Sequence, residues 1–267
     1  MEKYLKQYII YTFLAFIILI GVIGAFMFVF NMPLIGKILQ VLGAWTSTFV
    51  FLIMFNKIYP KENLKQYILR QFKGKISLPI IIAILFFFVV IFLGNVFYIS
   101  MTEGRSFSSL VISSFGTLVT SFFMCLIRGP LGEELGWRAF FLTEIEKKYG
   151  LIKSAIITGL LWSFWHYPLI LVSGDPLNIM IIQFICNTLA LIALTLIMAI
   201  LYNKNSNLVV PILIHQIFNY SLSIIKDDTI SSTIGITICT CIFAILCLIF
   251  YVKKPSISRQ TLDEVKM

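Results

Sequence analysis

FSSLVISSFGTLVTSFFMCLIRGPLGEELGWRAFFLTEIEK, residues 107–147, starts as an apolar helix and then departs from one. Residues 107–127 are long and apolar enough to cross a hydrocarbon core, which takes ~20 residues. Gly129-Pro130 then predicts a kink or break, because proline has no N–H to donate and its ring crowds the preceding turn. Directly after it come Glu133, Glu134 and Arg138, on a helix expected to run to about Lys147. A charged side chain in hydrocarbon costs ~3 kcal/mol or more, so it is rarely found there without a partner or a task. The reading of the whole chain turns on where those partners are.

Comparable chemistry occurs at two other places. His166 lies in LLWSFWHYP, residues 160–168, and His215 with Asn219 lies in ILIHQIFN, residues 212–219. His166 and His215 are the 2 histidines of the chain. Each set sits in its own apolar stretch. Five ionisable groups on three separate spans imply one shared polar pocket.

Composition sets the class. Hydrophobic residues make up 59% of the 267-residue chain, charged residues 12%, and mean hydropathy is +0.96. Soluble globular proteins carry about 25% charged residues, so an all-α polytopic transmembrane helical bundle is expected. Eight spans are predicted, roughly over 8–30, 38–56, 77–99, 107–127, 152–173, 177–202, 207–225 and 229–252. Residues 1–106 read as scaffold helices, 107–225 as the functional core, and 226–267 as a last helix with a cytoplasmic tail.

The net charge of +9 does not point to nucleic acid. With the N-terminus in the cytoplasm, the inner loops and tails hold Lys3, Lys6, Lys57, Lys61, Lys65, Arg70, Lys73 and Lys75. They also hold Lys147, Lys148, Lys153, Lys204, Lys253, Lys254, Arg259 and Lys266. The outer loops hold only Lys37, Arg105 and Lys226. This asymmetry follows the positive-inside rule, so a multi-pass protein of the cell membrane with both termini cytoplasmic is expected. The inner basic loops also suit anionic headgroups. The first apolar stretch is too long for a signal-peptide core and reads as a retained helix.

Other features read as structural. Cys125, Cys186, Cys239, Cys241 and Cys247 lie in apolar spans without metal-ligand spacing and are expected to pack. Gly132 and Gly136 form a G-x-x-x-G pattern that lets another helix approach closely. Tyr67, Ile68 and Phe72 suggest that the basic linker after the second span lies on the inner membrane surface, or is simply solvated. Arg128 reads as a cap, pocket-rim or headgroup residue, Asp175 as turn chemistry. Trp162 and Trp165 read as packing around His166.

Depth links the three polar sets. Measured from the inner helix ends at 1.5 Å per residue, Glu133 and His166 lie ~21 Å deep, His215 ~10 Å and Asn219 ~16 Å. All fall between the midplane and the cytoplasmic half. Glu134 and Arg138 are i,i+4, the spacing of an intrahelical ion pair. Glu133 is turned ~100° away and is left to face a cavity. His215 and Asn219 are also i,i+4 and project together. The set resembles a general base, two imidazoles and an amide around a point where water is held.

These residues resemble the motif set of the CPBP family, which includes type II CAAX prenyl endopeptidases, lysostaphin-resistance proteins and bacteriocin-processing or self-immunity proteins. The family pattern is E-E-x-x-x-R, F-x-x-x-H and H-x-x-x-N on successive membrane helices. It matches Glu133-Glu134 with Arg138, then His166, then His215 with Asn219. Trp162 stands where the pattern has Phe, and Trp137 where many members have Phe. The resemblance covers roughly 107–225. It implies an intramembrane endopeptidase acting on a hydrophobic or lipidated peptide in the bilayer. Glu133 would activate water with help from His166; His215 and Asn219 would steady the oxyanion or ligate metal; Glu134 and Arg138 would set the geometry. Members are commonly classed as metalloproteases. Glu133, His166 and His215 could make an open zinc site, while a Glu/His/Asn set also works on water without metal. A non-catalytic immunity or partner-binding protein and an ion-coupled transporter are the competing classes.

Overall fold

The computed structural model describes residues 1–112, 114–226 and 230–253. Lys254, Arg259, Lys266 and the rest of the expected cytoplasmic tail lie outside the described residues. The described chain is all-helical, apart from one isolated bridge between Val111 and Ile225. Helix α1 (Glu2–Gly24) continues as a π-helical turn (Ala25–Val29), and α2 (Pro33–Ala44) leads into α3 (Thr46–Ile58). A short α4 (Leu64–Arg70) precedes α5 (Leu78–Glu103), and a single turn, α6 (Phe107–Leu110), precedes α7 (Phe115–Arg128). Then come α8 (Pro130–Glu134), a π-helical stretch (Leu135–Leu142) and α9 (Thr143–Tyr149). The chain ends with α10 (Leu151–Leu171), α11 (Leu177–Asn205), α12 (Val209–Ser223) and α13 (Ile230–Lys253).

Six helical segments are long and apolar enough to cross a membrane, or seven if the bent pair α2–α3 counts as one span. Eight were expected; two of them, the second and the seventh, account for the difference, and the fourth has shifted bounds. The second span is not straight: α2 and α3 meet at 53° around Trp45. The fourth begins at Phe115 rather than 107 and runs through α7–α9 to Tyr149, with α6 separate. The seventh is α12, whose 15 residues reach only ~22 Å against a core of ~30 Å. Protein partners hold both its ends. Asn207 accepts from the Val209 N–H at 2.9 Å and donates to the Phe72 carbonyl at 3.1 Å. Just past the other end, Lys226 N–H donates to Leu110 O at 2.7 Å. Hydropathy counts apolar residues and is blind to such anchors.

The basic linker is also more structured than its composition suggests. Asn63 caps α4 by accepting the Gln66 N–H at 3.1 Å, satisfying a donor the helix leaves open. Tyr67 is buried among Phe51, Phe55 and Tyr59, and its hydroxyl donates to Ala139 O at 2.9 Å. Tyr67 therefore anchors the linker to the bundle, while Phe72 remains exposed.

Packing centres on α11, the most enclosed of the spanning helices, which touches α10, α12 and α13, while α13 packs on α5. The polar stretch α8 to Leu142 sits between α3, α10 and α12. Tyr8, Phe51, Phe140 and Trp137 make the aromatic floor below it. The five cysteines are free. Asp175 lies in the loop after α10, where its carboxylate accepts from Ser173 Oγ at 2.8 Å, as turn chemistry implies.

Candidate active site

The site is built where the fourth span breaks. Pro130 opens α8 and has no N–H to bond back to α7, so carbonyls in the last turn of α7 lose their helical partners. The indole of Trp45, at the bend between α2 and α3, donates to one of them, Ile127 O, at 3.0 Å. Gly132 makes room for this approach: a Cβ there would lie 2.7 Å from the Trp45 ring. Gly136 does the same for α1 and α3, since its Cβ would lie 2.6 Å from Tyr8 Oη and 2.7 Å from the Ser47 carbonyl. The G-x-x-x-G face is thus a close-contact face, as its spacing predicts.

Behind the break the helix widens into the π-helical stretch, a form common at functional sites. Glu134, Arg138 and His215 are held there with essentially no exposure. Arg138 Nη1 donates to Glu134 Oε1 at 3.0 Å, the expected i,i+4 pair. Its Nη2 donates to Thr195 Oγ1 on α11 at 3.3 Å. His215 Nδ1, from α12, is 2.7 Å from the same Glu134 oxygen. A carboxylate oxygen in this contact accepts, so Nδ1 carries a proton and Nε2 is the nitrogen turned to the site. Glu134 therefore ties α8, α11 and α12 together through one oxygen and its cationic neighbour. That coupling between Glu134 and His215 has no signature in the motif spacing.

Glu133 is also buried, 3% exposed, but makes no ion pair among the described residues. Its Oε2 accepts the indole N–H of Trp162 at 2.6 Å. Trp162 is wholly buried on α10 and lies at the centre of the constellation. The Arg138 guanidinium stands 3.7 Å over its ring, a cation–π contact. Its backbone carbonyl accepts from His166 Nδ1 at 2.8 Å. A carbonyl can only accept, so His166 also carries its proton on Nδ1 and keeps Nε2 as a base. Both imidazoles meet the Trp162 ring edge-on, at 5.4 Å for His166 and 5.0 Å for His215.

Asn219 completes the group at the break itself. A Cβ on Gly129 would come within 2.8 Å of Asn219 Nδ2 and 3.3 Å of His215 Nε2. The bare glycine therefore leaves space where an amide donor and an imidazole face the helix break. All six singled-out residues gather around Trp162 and Gly129. Arg128 is exposed at the end of α7, beside this space.

Three participants escaped the sequence reading. Trp162 was taken as packing around His166, yet it bonds a carboxylate. Thr195 carries no motif and lies in the apolar run 189–202 of its helix. Gly129 was read only as a breaker. The departure from Phe at position 162 was the one available signal, since only Trp brings a donor.

The residues do not form a ready metal cage. Among the described residues no three His, Cys, Asp or Glu side chains are arranged to hold a metal ion. Trp162 holds one Glu133 oxygen and the two Nδ1 atoms are taken, and the donors left over, the second Glu133 oxygen and the two Nε2 atoms, do not converge on one point. As they stand, Glu133, His166 and His215 do not fit a zinc ligand set.

Comparisons with known proteins cover the same part of the chain. Residues 115–221 match the family model described as type II CAAX prenyl endopeptidase Rce1-like. A CAAX prenyl protease 2 from Methanococcus maripaludis is 30% identical over 137 residues, half of each chain. The chain thus spans about half the length of that curated relative in the aligned region. The matched segment contains the broken helix, Trp162, both histidines and Asn219. Residues 115–221 of this multi-pass helical membrane protein are thus similar to the type II CAAX prenyl endopeptidases.

Proposed function

We propose that this protein is a glutamate-dependent intramembrane endopeptidase that hydrolyses lipidated, CAAX-type peptides at the membrane without a catalytic metal. The observation that carries the reading is the buried Glu133 carboxylate, held at Oε2 by Trp162 and close to two imidazoles whose Nδ1 atoms are already committed. Its other oxygen has no protein donor among the described residues and is the one that meets water. In the first step Glu133 takes a proton from water while the water oxygen bonds to the scissile carbonyl carbon. His166 Nε2 accepts the second water hydrogen bond and orients the attack. The Asn219 amide donates to the oxyanion, joined by His215 when its Nε2 also carries a proton. On collapse the C–N bond breaks, and the proton held by Glu133 passes to the leaving amine. Glu134 and Arg138 hold the frame and take no proton. The basic loops support a topology with both termini on the cytoplasmic side, the substrate entering from the lipid.

The test uses purified protein in liposomes with a farnesylated CAAX-type peptide, products being read by mass spectrometry. Wild type cleaves it, and Glu133→Gln lowers turnover about 10²- to 10⁴-fold while the fold survives, the range for loss of a general base. Equal cleavage by both proteins would remove Glu133 from the reaction. Zinc chelation leaves turnover unchanged; a loss restored by added Zn²⁺ would show that Glu133, His166 and His215 regroup around a metal.

A further inference from the structure

We propose that Trp162 is a positioning residue for the Glu133 carboxylate, acting through its indole N–H and not merely by filling space. The inference rests on the proteolytic reading above and adds a component to it.

The geometry separates three roles of this one side chain. Its face receives the Arg138 guanidinium at 3.7 Å, which any electron-rich ring does. Its backbone carbonyl fixes the His166 tautomer, which any residue on the helix does. Its N–H donates to Glu133 Oε2 at 2.6 Å, which among apolar aromatic residues only tryptophan does. The ring cannot swing away from that contact. Arg138 covers one face, and His166 and His215 abut the ring edge-on. The donor direction is therefore set before any substrate arrives.

The consequence falls on Glu133. A glutamate side chain has three rotatable bonds, and the carboxylate makes no ion pair here among the described residues. Without the indole N–H no side-chain hydrogen bond or ion pair among the described residues orients it. With it, Oε2 is taken and the second oxygen is presented. A fixed base saves the reorganisation that a mobile one would need in the transition state. Phenylalanine, the residue of the family pattern at this position, would keep the face for Arg138 and the carbonyl for His166. It would lose only the donor.

The experiment compares wild type with Trp162→Phe and with protein carrying 3-benzothienylalanine at position 162, an indole isostere with sulfur in place of N–H. Infrared difference spectra against Glu133→Gln isolate the carboxyl bands of Glu133. The expected result is a shift of those bands in both variants. On the farnesylated CAAX-type peptide, kcat falls about 10- to 100-fold with KM unchanged, the worth of one hydrogen bond to a charged group. The benzothienyl protein keeps ring size and packing, so a purely structural role would leave its bands and kcat at the wild-type values. That outcome overturns the proposal. If wild type fails to cut the peptide, the proteolytic reading falls by itself. The infrared comparison still decides whether the N–H positions Glu133, and unshifted bands would overturn it.

Discussion

Helices α5 and α7–α9 both cross the bilayer, and they are held by different physics. Helix α5 is 26 residues of nearly uniform apolarity with a hydropathy of 3.0. Its fully buried polar side chain is Asn95, which donates to Ser232 on α13 at 3.2 Å. The α7–α9 segment reaches a hydropathy of only 1.3 over 35 residues and breaks near its middle. It is held in the membrane because its break and its buried carboxylates meet partners. Trp45 takes up a freed carbonyl, Arg138 and His215 surround Glu134, and Trp162 meets Glu133. One span is specified by what it lacks. The other is specified by what surrounds it.

The contrast can be broken most severely at Arg138. Arg138→Ala leaves Glu134 buried with its cationic partner gone, and the protein loses about 3–5 kcal/mol of stability. Thermal unfolding of the purified protein should show it, and an unfolding midpoint equal to wild type would mean that the ion pair is not structural. A smaller effect compares glycines. Gly136→Ala sets a Cβ 2.7 Å from the Ser47 backbone and should cost about 1–3 kcal/mol. Gly94→Ala on α5 meets only the Cys239 Sγ, at 2.6 Å, which can rotate aside, and should cost less. Equal costs would erase the distinction between a close-contact face and an ordinary one. The smallest effect is on α5 itself. Asn95→Ala removes one interhelical hydrogen bond and should cost about 0.6 kcal/mol, the average for such bonds in membrane proteins. It should leave peptide cleavage untouched, and a loss of cleavage would extend the functional region to the scaffold.

Much of this was readable in advance, and each success was local. The Glu134–Arg138 pair follows from i,i+4 spacing, and the broken helix follows from Gly129-Pro130. The errors were also instructive. Residues 38–56 looked like one straight span because bends leave little trace in hydropathy, and Trp45 marks the bend only through its contact with Ile127. Residues 207–225 looked long enough to cross, but α12 is set short by Asn207 at one end and Leu110 at the other. Tyr67 looked like a residue for the membrane surface and is instead inside the bundle.

The chain's composition and short-range spacing determined that it lives in a membrane and that it is helical, and they singled out six polar residues that the fold brings together. Those properties are sums over neighbouring residues: transfer free energy along a helix, and side chains one turn apart. Tertiary structure alone decided that Glu133 meets Trp162, 29 residues away, and that Glu134 meets His215, 81 residues away. A hydrogen bond needs its donor within about 3 Å of its acceptor, and only the packed helices set that distance.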